Sequence, residues 1–186
     1  IGSGCSGMRS STSVEMRIAY VSADLGVTLD ARSGSSVHVC DFVGALAGRG
    51  ADITVFTPAP GARGITGCKV IGVRADPVLQ DLQRRLAKEL RAAERSPARA
   101  AETLSLMLNQ PLLEALTRRR GRFDVVYERY SLWSVAGLQF ARRAGIPYVV
   151  ELNAPLAAQQ EEYRVLDMAE TARAIADEVG LLRPGA

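Results

Sequence analysis

Histidine and cysteine are scarce in this 186-residue chain, and each scarcity argues against a class of function. The single histidine, His38, leaves little scope for a His-rich metal site or for a Ser–His or Cys–His nucleophile pair. The three cysteines, Cys5, Cys40 and Cys68, are far apart and show no CxxC spacing. The sequence therefore predicts neither a disulfide framework nor a zinc site, and a reducing cytoplasm is the expected compartment.

Long apolar runs and a one-sided charge are also missing. No stretch approaches the roughly 20 apolar residues of a membrane span. The net charge is only +3, and arginines alternate with acidic residues along the predicted helices, which is typical of a solvated face rather than of a nucleic-acid surface. Residues 1–15 are rich in Gly and Ser and are expected to be a disordered leader or a cloning remnant, which leaves one domain over residues 16–186.

Short apolar strands alternate with helical patterns along this domain. A strand is predicted at each of five places, and the helical periodicity lies between them. The predicted strands are Arg17–Ser22, Asp52–Thr57, Lys69–Val73, Asp124–Glu128 and Tyr148–Leu152. The predicted helices are Ser36–Arg49, a segment from Val78 broken at Ser96-Pro97, Ala98–Arg119 with a kink at Pro111, Leu132–Ala144 and Ala158–Val179.

This alternation predicts an α/β fold in which a doubly wound parallel sheet has helices on both faces. Ligands of such sheets bind outside the carboxyl ends of the strands. A dinucleotide-binding domain is not favoured, because no GxGxxG follows the first strand, and the absence of GxxxxGK[ST] excludes a P-loop.

The loop after the first strand leads to Gly34, Ser35 and Ser36, where a helix is predicted to begin. Small residues let backbone amides approach a phosphate closely, and the helix dipole favours an anion there. A flexible connection explains the glycine equally well. His38, in the first turns of that helix, is interpreted as a packing or capping residue.

Polar side chains also follow the last two predicted strands. Glu128 and Arg129 form either an ion pair that orders the loop or a site for a sugar or phosphate. Glu151 and Asn153 are predicted to share one side of the chain, where they either bind hydroxyl groups or cap the following helix.

Several sequence blocks then follow one another in a familiar order. The first half contains MRIAYV from Met16, GSSVHV from Gly34 and LAGRGADITVFT from Leu46. The second half adds DVVYERYSLW from Asp124, ARRAGIP from Ala141 and ELNAPL from Glu151. Over residues 16–166 these blocks resemble the N-terminal lobe of bacterial family 4 glycosyltransferases, which have the GT-B fold.

The resemblance implies one Rossmann-like lobe of a two-lobed enzyme. Such enzymes transfer a hexosyl group from a nucleotide sugar to an acceptor hydroxyl with retention, and they need no metal or bound cofactor. Gly34, Ser35 and Ser36 would lie against the donor diphosphate, and Glu128, Arg129, Glu151 and Asn153 would face the acceptor side of the cleft. The C-terminal donor-binding domain is absent from this sequence, so the isolated lobe is expected to be inactive.

The resemblance names no catalytic residue in this lobe. Many relatives carry a histidine after the fifth strand, where this chain has Glu151-Leu152-Asn153. A stand-alone module that binds a nucleotide or a sugar without catalysis therefore stays open as the alternative. Weak peripheral contact with a membrane through Val78–Arg120 is a further alternative, although packing of these helices on the sheet is the preferred interpretation.

Overall fold

The computed structural model describes residues 15–30, 32–62, 64–154, 156 and 166–180. The predicted leader, apart from Glu15, and residues 158–165 of the predicted last helix lie outside these residues. The strands are β1 Arg17–Ser22, β2 Asp52–Thr57, β3 Lys69–Gly72, β4 Val125–Arg129 and β5 Tyr148–Glu151. The helices are α1 Gly34–Gly48, α2 Pro77–Ala92, α3 Ala98–Met107, α4 Asn109–Thr117, α5 Ala136–Ala144 and α6 Ala169–Glu178.

The strands form one parallel sheet in the order β3-β2-β1-β4-β5. Alternation along β1 sends Ile18 and Tyr20 to the face covered by α1, and Ala19 and Val21 to the face covered by α4 and α5. Both faces of the sheet are therefore buried, which explains the continuous apolar runs. The predicted α/β doubly wound fold is confirmed.

The predicted elements agree best where the chain has a clear terminator. β1 and β2 match their predicted bounds, and Gly50 and Gly145 follow α1 and α5 with positive φ angles of 89° and 68°. The helix predicted from Ala98 to Arg119 is divided into α3 and α4. Pro111 explains the break, because its ring conflicts with the carbonyl four residues earlier, at Met107, where α3 ends.

Helix α2 presents a different face to the protein than its apolar pattern predicted. On the predicted apolar face, Val78, Leu82 and Leu86 are 65%, 54% and 37% exposed. Leu90, from the same face, is buried, and it packs with Ala87 against Ala100 of α3. The preferred interpretation, that this whole apolar face packs on the sheet, is wrong for α2. Packing is confirmed for α4, whose Leu112 and Leu116 are buried in the core beneath the sheet.

Candidate functional site

The strand order reverses direction between β1 and β4. β2 and β3 continue the sheet from one edge of β1, whereas β4 and β5 continue it from the other. In open α/β sheets the crevice outside the carboxyl ends of the strands at such a switch point is where ligands bind. The candidate site is therefore built from residues at the ends of β1, β4 and β5.

Three polar side chains lie next to one another across these strand ends, on the face that α1 covers. Ser22 is the register partner of Arg129, and Arg129 is the register partner of Glu151. The Arg129 Nε and Glu151 Oε1 atoms are 4.0 Å apart, and the two side chains are 11% and 13% exposed. We call Ser22, Arg129 and Glu151 the polar row.

Each member of the polar row has a buried polar atom without a hydrogen-bond partner. These atoms are Ser22 Oγ, Arg129 Nε and Glu151 Oε2. A buried donor or acceptor left unsatisfied costs about 1–3 kcal/mol. Three such groups on adjacent strands have no partner among the described protein residues, so they are open to hydrogen bonds from a ligand or from water, which is typical of sites kept for function.

His38 joins the polar row from α1. Its Nε2 atom lies 2.8 Å from Glu151 Oε1, and its ring stacks on Phe42 with 6.1 Å between centroids. Its side chain is 48% exposed, so it forms the accessible rim of the buried row. Sequence reasoning treated His38 as a packing or capping residue. The available signal was its position, because the first turns of a helix that follows a strand lie near that strand's carboxyl end.

Two tyrosines lie beneath the row. Tyr20 and Tyr127 stack with ring centroids 5.5 Å apart. Burial, and then the negative charge of Glu151, raises the pKa of both phenols. Both rings therefore stay neutral, and they form a rigid aromatic floor for the site.

The predicted phosphate segment divides into two parts. Ser36 is buried at the start of α1, where its hydroxyl donates to the Thr28 carbonyl and its amide donates to the Ser33 side chain at 3.2 Å. Ser36 therefore connects the loop between β1 and α1 to the start of α1 through these hydrogen bonds. By contrast, Gly34 is exposed and Ser35 is half-buried. A Cβ at Gly34 would meet nothing within 4 Å, so open space lies beside this first residue of α1.

Glu128 is placed away from the cleft. It is 1% exposed beneath α5, where it accepts hydrogen bonds from the Ser134 hydroxyl and, at 3.1 Å, from the Tyr148 hydroxyl. Burial raises its pKa to about 7, against the opposing effect of these hydrogen bonds and of one from the Gly137 amide. Glu128 and Arg129 cannot form the pair considered from sequence, because adjacent strand residues point to opposite faces.

Asn153 lies beyond the end of β5 and is exposed. Of the four residues expected on the acceptor side, the structure brings Arg129 and Glu151 together. Asn153 lies two positions beyond Glu151 at the same edge of the sheet, and Glu128 lies on the opposite face.

A cavity of about 500 Å³ opens on the α3 side of the same edge. Its floor is formed by residues that follow β1 and β4, and one wall by the start and inner side of α3. Its lining comprises Ala23, Asp24, Ser96, Pro97, Ala98, Ala101, Glu102, Ser105, Ser131, Leu132, Trp133, Leu156 and Leu166. Sequence reasoning had not identified this cavity, because α3 comes to the switch point only through the long connection between β3 and β4.

Asn109 fixes the loop that carries Trp133. Its side-chain nitrogen donates to the Leu106 and Trp133 carbonyls at 2.8 and 2.7 Å. Its side-chain oxygen accepts from the Val135 and Ala136 amides at 2.8 and 3.0 Å, which caps the start of α5. One side chain therefore holds α3, α5 and the cavity loop together.

Within the described part of the chain, no group of three or more His, Cys, Asp or Glu residues is arranged to hold a metal ion. None of the helices there is long and apolar enough to cross a membrane.

Comparison with known proteins identifies the domain. The family model described as a glycosyl transferase 4-like domain matches residues 33–179, which include α1, Arg129, Glu151 and all of the cavity lining except Ala23 and Asp24. Curated protein sequences give no match. The C-terminal domain of a hydrogenase from Pyrococcus furiosus is similar at 14% identity, over 74% of this chain and 91% of that one, with a TM-score of 0.43. The chain belongs to the glycosyl transferase 4-like domain family.

Proposed function

We propose that this chain is the acceptor-side lobe of a retaining glycosyltransferase, which transfers a hexosyl group from a nucleotide sugar to an acceptor hydroxyl in the cytoplasm. The observation that carries the proposal is the polar row, which lies at the switch point of a domain of this family. A row with unsatisfied donors and acceptors suits hydroxyl groups, because each hydroxyl both donates and accepts.

Each part of the site has a distinct task in this proposal. The amides of Gly34 and Ser35 precede the first internal hydrogen bonds of α1, so they are available to the donor diphosphate. Arg129, Glu151 and Asn153 orient the acceptor hydroxyl, and His38 holds Glu151 through the 2.8 Å contact. Cations and amide dipoles around the diphosphate assist departure of the leaving group. The nucleotide sugar enters as a substrate, and no resident cofactor or metal takes part.

A second lobe completes the cleft in this proposal, as it does in the enzymes that the sequence resembles. The 186-residue chain alone is then expected to fold without turning over. Robust sugar transfer by the purified chain would overturn this part of the proposal.

The decisive experiment uses the protein at its full natural length. It is incubated with UDP-, GDP- and ADP-hexoses and a cell extract as the source of acceptors. Release of nucleoside diphosphate and the anomeric configuration of the product, by proton NMR, are measured. We expect release with one class of donor, retention of configuration, and strong loss of rate in Glu151→Gln.

Glu114→Gln is the matched control. Glu114 pairs with Arg118 at 3.5 Å on the exposed side of α4, so this variant keeps the wild-type rate. Saturable binding of a sugar or nucleotide with no release from any donor would instead establish the stand-alone binding module.

Peripheral contact with a membrane is proposed as a property of the same enzyme. The observation in its favour is the exposed apolar stripe of Val78, Leu82 and Leu86 on α2, which Arg84, Arg85 and Lys88 accompany. Apolar side chains flanked by basic ones are typical of helices that lie on anionic lipid.

A further inference from the structure

The two sides of the switch point differ in charge. On the α1 side, Arg129 and His38 stand beside Glu151. On the α3 side, the cavity is lined by two carboxylate residues, Asp24 and Glu102, and by no Arg or Lys among the described residues. Among these described lining residues, an anionic group therefore meets negative side chains and no cationic one.

The cavity also has an apolar wall of suitable shape. Trp133 and Leu132 come from the loop after β4, and Pro97, Ala98 and Ala101 come from the start of α3. Its volume of about 500 Å³ lies within the range of small-molecule sites. An indole and small alanine side chains in one lining suit an aromatic ring or the apolar face of a sugar ring.

The two carboxylates of the cavity lining differ in how many of their oxygens are held by backbone hydrogen bonds. Glu102 accepts hydrogen bonds from the Asp167 and Met168 amides at 3.1 and 3.0 Å, which holds it at the start of α6. Asp24 accepts from the Gly26 amide through Oδ1 at 2.7 Å. Because only one oxygen of Asp24 makes that contact, Asp24 is the residue whose charge can be removed with least disturbance of the loop.

We infer that the α3 cavity binds the body of the acceptor, and that this acceptor is an uncharged hydroxylated molecule with a flat apolar part rather than a phosphorylated one. That the bound molecule is the acceptor rests on the proposed function. The binding chemistry stands on the cavity alone. In this arrangement the body of the neutral acceptor lies in the α3 cavity, its reacting hydroxyl reaches the polar row, and the donor diphosphate lies at the start of α1.

Trp133 provides a direct readout, because it is the only tryptophan in the sequence. The emission of the purified chain is titrated with phenyl β-D-glucopyranoside and, separately, with phenyl phosphate. We expect a saturable change with the glucoside and affinity about tenfold lower or worse for the phosphate, which corresponds to one unfavourable charge interaction. Equal or tighter binding of phenyl phosphate would overturn the inference, as would no saturable change with the glucoside.

Two variants locate the binding. Ala101→Leu fills the cavity from an exposed helical position and is expected to weaken glucoside binding at least several-fold. Ala92→Leu makes the same change at the exposed end of α2, outside the cavity lining, and leaves binding unchanged. If both variants bind equally well, the probe is elsewhere and the inference fails.

Asp24→Asn tests the charge argument separately. This variant keeps the side-chain oxygen that accepts from Gly26, and it narrows the preference for the glucoside over the phosphate. An unchanged preference would contradict the role of the carboxylate. None of these titrations requires a nucleotide sugar or turnover, so their outcome is independent of whether glycosyl transfer is observed.

Discussion

Gly137 leaves the space that the carboxylate of Glu128 occupies. A Cβ atom at position 137 would overlap Glu128 Oε2 and would also lie 3.3 Å from Val126 Cγ1. The backbone of α5 can therefore approach β4 only because residue 137 has no side chain, and the Gly137 amide bonds the carboxylate in return.

Gly137→Ala is expected to destabilise the domain. The added methyl group must displace a buried carboxylate, so the expected loss is about 1–3 kcal/mol, the usual cost of overpacking. The measurement is the free energy of unfolding from urea titrations. Gly44→Ala is the control: a Cβ at that α1 position meets no atom within 4 Å, so alanine is expected to be neutral or mildly stabilising. Equal stability of the two variants would contradict the prediction.

Glu128 makes stability depend on pH. Burial raises its pKa to about 7 in the folded state, whereas an unfolded glutamate titrates near about 4.3. Between these values the folded chain holds a proton that the unfolded chain has lost. The free energy of unfolding therefore falls as the pH rises through this interval, and the contribution of Glu128 is lost above pH 7.

Glu128→Gln removes this titration. We expect the variant to lose about 2–3 kcal/mol of the pH dependence between roughly pH 4.5 and 7.5, because its side chain stays neutral. Urea midpoints measured across that range test the difference between wild type and variant. Glu114→Gln, on the exposed face of α4, is expected to keep the wild-type slope. If the unfolding free energy of Glu128→Gln changed with pH as steeply as that of the wild type, Glu128 would not titrate in this range.

Asn109→Ala should weaken the junction of α3, α4 and α5. The change removes two donated and two accepted hydrogen bonds, including the cap of α5. We expect a loss of about 1–3 kcal/mol in the free energy of unfolding. Asn109→Asp keeps the accepting oxygen but not the donors, so its free energy of unfolding is expected to lie between those of the wild type and of Asn109→Ala. Wild-type stability of Asn109→Ala would refute the capping role.

His38→Ala separates positioning from folding. The pair with Glu151 is half exposed on the histidine side, so its loss is expected to cost no more than about 1 kcal/mol of stability. In the proposed full-length enzyme, the loss leaves Glu151 held only by Tyr127 and Arg129 among the described residues, so we expect the KM for the acceptor to rise more than kcat falls. Steady-state kinetics with varied acceptor give both values. An unchanged KM would show that His38 does not position Glu151 for the acceptor.

The stripe on α2 predicts binding to anionic vesicles. The triple change Val78→Ser, Leu82→Ser and Leu86→Ser removes the exposed apolar side chains and keeps the neighbouring charges. We expect the wild-type chain, and not the triple variant, to co-sediment with vesicles that contain phosphatidylglycerol, with loss of binding at high salt. Met107→Ser, at another exposed apolar position, is the control. Failure of the wild-type chain to sediment would end the membrane proposal.

The sequence predicted the sheet well because its strands have local signals. Asp52–Thr57 is an apolar run closed by Pro58, and Gly145 with Pro147 marks the passage from α5 to β5. Face assignments were less reliable. Leu82 and Leu86 recur at helical spacing, but periodicity shows which residues are apolar and not which side of the helix meets a neighbour.

The site shows the same limit. Arg129 and Glu151 were identified because strand ends can be located from sequence. Placing Glu128 also requires knowing which residues of β4 point to which face of the sheet. The His38–Glu151 contact joins residues 113 positions apart, and no local pattern encodes it. The caps supplied by Asn109 are equally remote from the helix they stabilise, since Val135 lies 26 positions later.

The central place of β1 has a consequence for synthesis on the ribosome. Its edge toward β4 is completed only when a segment more than a hundred residues later has emerged, as the 107 positions between Arg17 and Asp124 show. Until then this edge of β1 exposes a row of unpaired backbone groups, which is a template for association with other nascent chains. Chaperone dependence during translation is therefore expected to be greatest for chains that have not yet reached β4.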